Sequence, residues 1–405
     1  MNRRHALLVL ATASVAFIPL ASSSCAATED GQGPPPASNP LPEASTDGGA
    51  KEASADHDAG CDDGDPGCVT TPLSCDEVSW CPSSTAVASA YVLTKVWGTS
   101  KSDVWAVGSG GTVIHWNGTE WAPSPIPPTP AKVKNTFFAV GGTGPNDVWV
   151  ASTTSTIFHN DGSGWLQEES PTPKGYDVPV FSIWSSGPDE LRLGTSAFEY
   201  VIWMPKGGEL RVNGNQLVGT STNKGKLIWE PQQGTASVLG FSGNADDLWL
   251  IGDNSTFKPW QRALTMHGVR SQLTSELVWS EVESNSLAKL HAIWGSSPND
   301  VWAVGDQGAL RRMRPGQSSW EVVPSPTNEA LYALWGTSAT DIWAAGENGT
   351  ILHYDGATWS PERAAFPVGK KKPALTGIWG SGPEDVWIVG GGLALHYTGK
   401  KGGAP

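Results

Sequence analysis

Seven times along this chain an acidic residue opens a short hydrophobic run, as Asp103, Asp147, Glu190, Asp247, Asp300, Asp341 and Asp385, at intervals of 41 to 57 residues. Histidines follow five of them: His115, His159, His267, His353 and His396. Carboxylates and imidazoles brought together could do general acid–base chemistry or hold a metal ion. The spacing argues against convergence, because each acid and each histidine belongs to a different copy of one repeated stretch. A carboxylate placed just after a Gly-Thr/Ser turn can instead accept the backbone N–H groups of that turn. A histidine recurring in separate copies reads as a packed, hydrogen-bonded side chain. The sequence holds no HExxH, no Gly-rich phosphate loop and no Ser/His/Asp signature. No metal and no cofactor is therefore expected, and a non-enzymatic role is favoured.

The repeated stretch is seen best at 331–359, LYALWGTSATDIWAAGENGTILHYDGATW. It divides into three short apolar runs and a terminal Trp359, separated by Gly, Ser, Asn or Asp, as strands joined by tight turns do. Asn348-Gly349 supplies the positive φ that a two-residue hairpin turn demands. One copy is thus a four-stranded antiparallel meander, and seven copies predict an all-β, seven-bladed propeller. Copy three, SIWSSGPDELRLGT (182–195), has Arg192 where the others carry Trp. Most of the 21 tryptophans recur at first-, second- or fourth-strand positions, but the last copy lacks a fourth-strand Trp. Trp80 has the spacing to supply it, which predicts that residues 76–82 cross to the last blade and close the ring.

The propeller is expected over 74–405, behind two segments of other character. Residues 1–26 have Arg3-Arg4, a charge-free apolar run and small residues before Cys25. That is an export signal, too short for a stable membrane span. Ser-Ser-Ser-Cys resembles a bacterial lipobox, which implies lipidation of Cys25 and a cell-envelope location; without it the protein would be extracellular. Residues 27–73, rich in Pro, Gly, Ala, Ser and Asp, read as a disordered linker. The remaining cysteines, Cys61, Cys68, Cys75 and Cys81, form an even set in an exported chain and suggest two disulfides, with three connectivities open. Their spacing is not that of a zinc ribbon. A net charge of −14 argues against nucleic acid, whose phosphates need a basic face. Membrane contact is expected through the lipid alone.

The pattern WGTSxxDVWAVG…GTILHYDGxxW resembles the exported bacterial propeller repeats of the BNR/Asp-box and kelch-like families. The resemblance covers the seven copies, and the signal, spacer and cysteines look like those of exported myxobacterial proteins. Asp355-Gly356 stand adjacent where an Asp-box separates them, and Gly390-Gly391 with Tyr397 meet the kelch pattern in part. Sialidase-like propellers with Asp-boxes imply an arginine triad and a Tyr–Glu nucleophile pair. Here Arg192, Arg211, Arg262, Arg270 and Arg363 are scattered, and Arg311, Arg312 and Arg314 crowd one strand. The favoured reading is an exported, monomeric, non-catalytic binding or scaffold module, with a glycan-active hydrolase of sialidase-like type as the alternative.

In a propeller, loops from each outer strand to the next inner strand share one face with the loops between second and third strands. Those stretches vary most between copies: 124–134, 168–177 and 361–374, with insertions near 204–225 and 255–275. This loop-rich face is where a protein or glycan partner is expected. Trp116 stands where Tyr354 and Tyr397 stand, and Trp203 reads as a third-strand residue. Trp260 lies on an insertion as a candidate aromatic anchor, beside Arg262. Lys370, Lys371 and Lys372 add a local positive patch.

Overall fold

The computed structural model describes residues 68–399, apart from single positions and short stretches such as 129–134, 173–176, 204–208, 222–226 and 256–259. The signal expected over 1–26, most of the linker expected over 27–73, Cys25 and Cys61 lie outside the described residues. The chain folds into seven four-stranded antiparallel sheets, the blades of an all-β propeller. Each of the seven acids is the first residue of a second strand. Blade six shows the plan, with strands Leu331–Ser338, Asp341–Gly346, Ile351–Tyr354 and Trp359–Pro361 from the axis outward. Its second and third strands are joined through Asn348 at φ 52° and Gly349 at φ 66°, with Thr350 N–H donating to Glu347 O at 3.0 Å. That is the hairpin geometry which the Asn-Gly pair favours.

Two recurring contacts bind blade to blade, and they explain two recurring residue types. The second-strand Trp of one blade meets the fourth-strand Trp of the next edge-on. Trp105–Trp165, Trp249–Trp320 and Trp302–Trp359 have ring centroids 5.5, 5.4 and 5.4 Å apart. The first-strand Trp packs over the Gly that follows its counterpart in the next blade. A Cβ on Gly336 would lie 2.9 Å from Trp294, and one on Gly380 would lie 2.6 Å from Trp335. No side chain fits beneath those rings, hence Trp-Gly.

Trp80 takes part in the same scheme. The strand Trp80–Ser83 pairs with Leu393–Tyr397 as the outermost strand of blade seven, in the register Trp80↔Tyr397 to Ser83↔Ala394. Trp80 is fully buried and edge-on to Trp343 at 5.1 Å, as Trp359 is to Trp302. The strand begins later than residue 76 because Cys75–Glu77 form a turn, in which Ser74 N–H donates to the Glu77 carboxylate at 2.8 Å. Cys75 and Cys81 are disulfide-bonded across that turn. Ahead of it, Val69 is buried, its N–H donating to Lys370 O at 3.1 Å and its carbonyl accepting from Gly369 at 3.0 Å.

Two insertions differ from the sequence expectation. In blade three the second and third strands lengthen to Glu190–Trp203 and Glu209–Ser221. Pairing satisfies the backbone groups that a long loop would leave open. The Trp203–Glu209 pair and the Glu190–Thr220 pair therefore lie at opposite ends of the hairpin, and Trp203 ends a second strand rather than a third. In blade four the third strand Ala263–Arg270 divides 255–275 in the same way. Only the earlier half of each insertion joins the loop-rich face.

Candidate functional site at the channel mouth

The polar residues of the repeat form clamps inside each blade. In a strand the residues i and i+2 share a face, so Asp103 and Trp105 point the same way, and the register sets His115 opposite Trp105. His115 Nε2 lies 2.6 Å from Asp103 Oδ1, and its ring stacks on Trp105 with centroids 4.1 Å apart. Trp105 Nε1–H donates to the same carboxylate at 3.0 Å, and the Thr99 hydroxyl donates to its other oxygen. The His–Asp contact recurs as His159–Asp147 at 2.8 Å, His267–Asp247 at 2.6 Å, His353–Asp341 at 2.7 Å and His396–Asp385 at 2.6 Å. Turn backbone N–H groups were the expected partners, and Thr143 N–H does donate to Asp147. The hydroxyl and imidazole do most of the work because they sit on the carboxylate's own face. Among the described residues no group of three or more potential metal ligands gathers.

Where the histidine is missing, an arginine pairs with the acid, from the histidine position in blade five and from the Trp position in blade three. In blade five Arg312 faces Trp302, bonds Asp300 at 2.8 and 3.1 Å, and lies over the indole at 4.7 Å. In blade three the buried Arg192 bonds Glu190 at 2.8 Å. Burial would raise the Asp147 carboxyl, but hydrogen bonds from His159, Thr143 and Trp149 outweigh it and lower the pKa from 3.8 to about 2. The clamps are architecture, and they use up the acids and histidines that looked chemically capable.

What is left for binding lies at the channel mouth. Every first strand but the last carries a register shift near its start, which turns one side chain toward the axis. In blade order these positions hold Thr94, Phe138, Phe181, Leu239, His291 and Tyr332, and Thr376 stands equivalently in blade seven. They surround a cavity of about 340 Å³ that also meets Lys95, Asp253 and Lys289. Thr94 Oγ1–H is bonded to Val107 and Phe137 carbonyls, and Thr376 Oγ1–H to Leu93 O at 3.1 Å, so both lock neighbouring blades.

The other polar groups there are mostly paired. His291 lies 2.6 Å from Asp306, Lys289 Nζ 3.1 Å from Asp253, and Tyr332 Oη–H donates to Glu347 at 3.4 Å. Burial lowers the pKa of His291, opposed by Asp306 and reinforced by Lys289 and Lys95. Burial also raises that of Tyr332, helped by Glu347 and Asp306. Sequence reasoning missed this ring, because no one residue type runs through it. The signal was present as the one variable position three residues before each first-strand Trp or its equivalent.

The residues expected on the loop-rich face are placed as follows. Loops between second and third strands do meet the outer-to-inner connections, as Gly111 N–H donates to Asn135 O at 2.8 Å and Gly349 N–H to Pro373 O at 2.9 Å. Trp260 is 71% exposed, and Arg262 Nη2 lies 3.9 Å from Asp253, which also touches the channel mouth. Lys370 and Lys371 are engaged through their backbones by Val69 and Cys68, and Lys372 Nζ lies 5.8 Å from the Phe366 ring. The triple-lysine stretch thus carries the entering chain. Trp116 packs on Trp387 at 4.9 Å, as expected of a core residue.

No protein-family model matches the chain, and no curated protein matches it. Solved structures do. YCF48 bound to D1 peptide is 16% identical with a TM-score of 0.59, covering 83% of this chain and 99% of that one. A streptogramin B lyase is 14% identical with a TM-score of 0.56, covering 75% and 92%. The WD40 propeller domain of Doa1 is 11% identical with a TM-score of 0.54, covering 80% and 98%. At such identities the likeness extends to the fold, which these proteins put to unrelated uses: the chain is a seven-bladed β-propeller, structurally similar to YCF48 and streptogramin B lyase.

Proposed function

We propose that the chain is an exported, non-catalytic binding or scaffold propeller that docks a protein or glycan partner on its loop-rich face. The observation that carries this reading is the division of labour among its residues. The recurrent acids and histidines are consumed in blade clamps, whereas Trp260, free of the repeat, stands 71% exposed on a second-to-third-strand loop. Exposed aromatic rings on a rigid scaffold are typical anchors for a partner. YCF48, which binds a D1 peptide, and the WD40 propeller of Doa1 are structural neighbours in keeping with this use.

A sialidase-like hydrolase is the second reading, and Tyr332 with Glu347 is the observation in its favour. It also requires an arginine triad. Among the described residues, Arg192, Arg270 and Arg312 are held by Glu190, Asp246 and Asp300 of the blades, and no arginine lines the channel cavity. Binding is therefore preferred to hydrolysis.

The test is a glycan-array and envelope-extract screen with the full chain and its variants. Trp260→Ala, or the joint change of Lys370, Lys371 and Lys372 to Ala, should lower partner binding, while Thr340→Glu on the opposite face should not. Loss with Thr340→Glu alone would place the partner on the other face. Growth with a radioactive fatty acid should label the wild type and not Cys25→Ala, since lipidation at the envelope is part of the same proposal.

A further inference from the structure

We propose that the channel mouth binds a small carboxylate with an aromatic or aliphatic body, its charge met by the Lys95 ammonium and its body by Phe138 and Phe181. This site lies at the centre of the loop-rich face, apart from Trp260 and the three lysines, and neither proposal depends on the other.

Lys95 breaks the repeat where the fold tolerates variation least. The six equivalent positions are Ala139, Ser182, Gly240, Ala292, Ala333 and Gly377. They are small because first strands crowd the axis: a Cβ on Gly377 would lie 2.9 Å from the Lys95 backbone of the next blade, and one on Gly240 would lie 3.2 Å from Ile293. A lysine at this ring places a long cationic chain in the channel cavity. Its ammonium is near enough to His291, three blades away around the ring, to lower that residue's pKa.

The charge is uncompensated. Lys289 has Asp253, and His291 has Asp306, but no described carboxylate pairs with Lys95. Burial alone lowers its pKa, as expected of an ammonium without a counter-charge. A partly buried charge with no partner is costly, so a ligand that brings an anion is favoured there.

The remainder of the wall sets the ligand class. Phe138 and Phe181 have ring centroids 6.4 Å apart, with Leu239 beyond them. A cavity of about 340 Å³ lies at the small end of ligand sites, roughly 300–1,000 Å³. One unpaired ammonium balances one negative charge, and the acids at the rim are already committed to their own partners. A monocarboxylate with an apolar body fits this arrangement better than a multiply charged phosphate.

The experiment uses the full chain and 3-phenylpropionate as probe, with neutral 3-phenylpropanamide and inorganic phosphate as comparisons, by calorimetry. The acid should bind at least about tenfold more tightly than the amide, the scale of one charge-assisted contact. Lys95→Ala and Lys95→Met should abolish that preference while melting no lower than the wild type, because each removes an unpaired, partly buried charge. Partner binding that depends on Trp260 should be unchanged in both. No binding of the acid, equal binding of acid and amide, tighter binding of phosphate, or a preference that survives in Lys95→Met would each overturn the proposal. Should Lys95→Ala fold poorly, Lys95→Met decides the matter.

Discussion

Replacing Trp80 with alanine tests how the ring is held shut. The side chain is fully buried, edge-on to Trp343 at 5.1 Å and tilted against Tyr397 at 5.2 Å. Truncating a buried Trp to Ala costs about 3–5 kcal/mol through lost transfer energy and the cavity left behind. The indole Nε1 makes no hydrogen bond, so no polar partner is orphaned, and about 4 kcal/mol is the expected loss. For a domain of this size that is a fall in melting temperature of about 5–10 °C. Thermal melts followed by tryptophan fluorescence should show it, and hydrogen exchange should quicken first at residues 393–397, which pair with the closing strand. Trp260→Ala is the control, since that ring is 71% exposed, and its melt should shift by less than about 1 °C. A Trp80→Ala protein that melts with the control would refute the view that closure rests on this residue.

Two further outcomes follow from the clamps and the turn before the closing strand. The Asp147 carboxyl is lowered from 3.8 to about 2. A depressed acid stabilises the fold above its unfolded pKa, and the gain is lost as pH falls through the folded one. Asp147→Asn should therefore flatten the stability curve between about pH 4 and pH 2, by about 1 kcal/mol once solvent screening of this partly exposed group is allowed for, as urea titrations across that range would show. Joint replacement of Cys75 and Cys81 by serine should cost about 2 kcal/mol, the chain-entropy value for so short a loop. A urea midpoint equal to that of the wild type would count against a stabilising role for the Cys75–Cys81 bond.

The fold was legible in the sequence because it is written seven times. Each Asp begins a second strand as its spacing indicated, and Trp80 occupies the missing fourth-strand place. Local detail was less readable. The insertion around 204–225 gives no sign in sequence that backbone pairing continues through it, so it reads as loop although most of it is hairpin. The Asp–His clamp depends on which residues oppose one another across strands, and register is a property of the pair. The channel ring was hidden for a different reason. Its members, from Thr94 to Thr376, share no single type, and in six of the seven blades it is a bulge that brings them to the axis. Lys95 could have been noticed as the single charge in a column of Gly, Ala and Ser, but the column itself is defined by that bulge.

The closing strand also decides how the domain answers to tension. Trp80, at the start of its strand, lies opposite Tyr397, near the end of its partner. The chain entering the domain and the chain leaving it therefore depart from the same end of the seam. Pulling them apart loads the inter-strand bonds one after another, as in opening a zipper, and not in parallel, as in shearing. Ahead of the seam, the contact of Val69 with Lys370 yields first. Beyond it the load passes from Cys75 through sulfur to Cys81, leaving the peptide between them slack and Trp80 undisturbed in its pocket. With the cysteines bonded, peeling must start at Cys81↔His396; with them reduced, it starts one pair earlier and strains the buried indole directly. Forced opening is governed by the rate of that first step, which makes the redox state of two cysteines a setting for the mechanical lifetime of the whole ring.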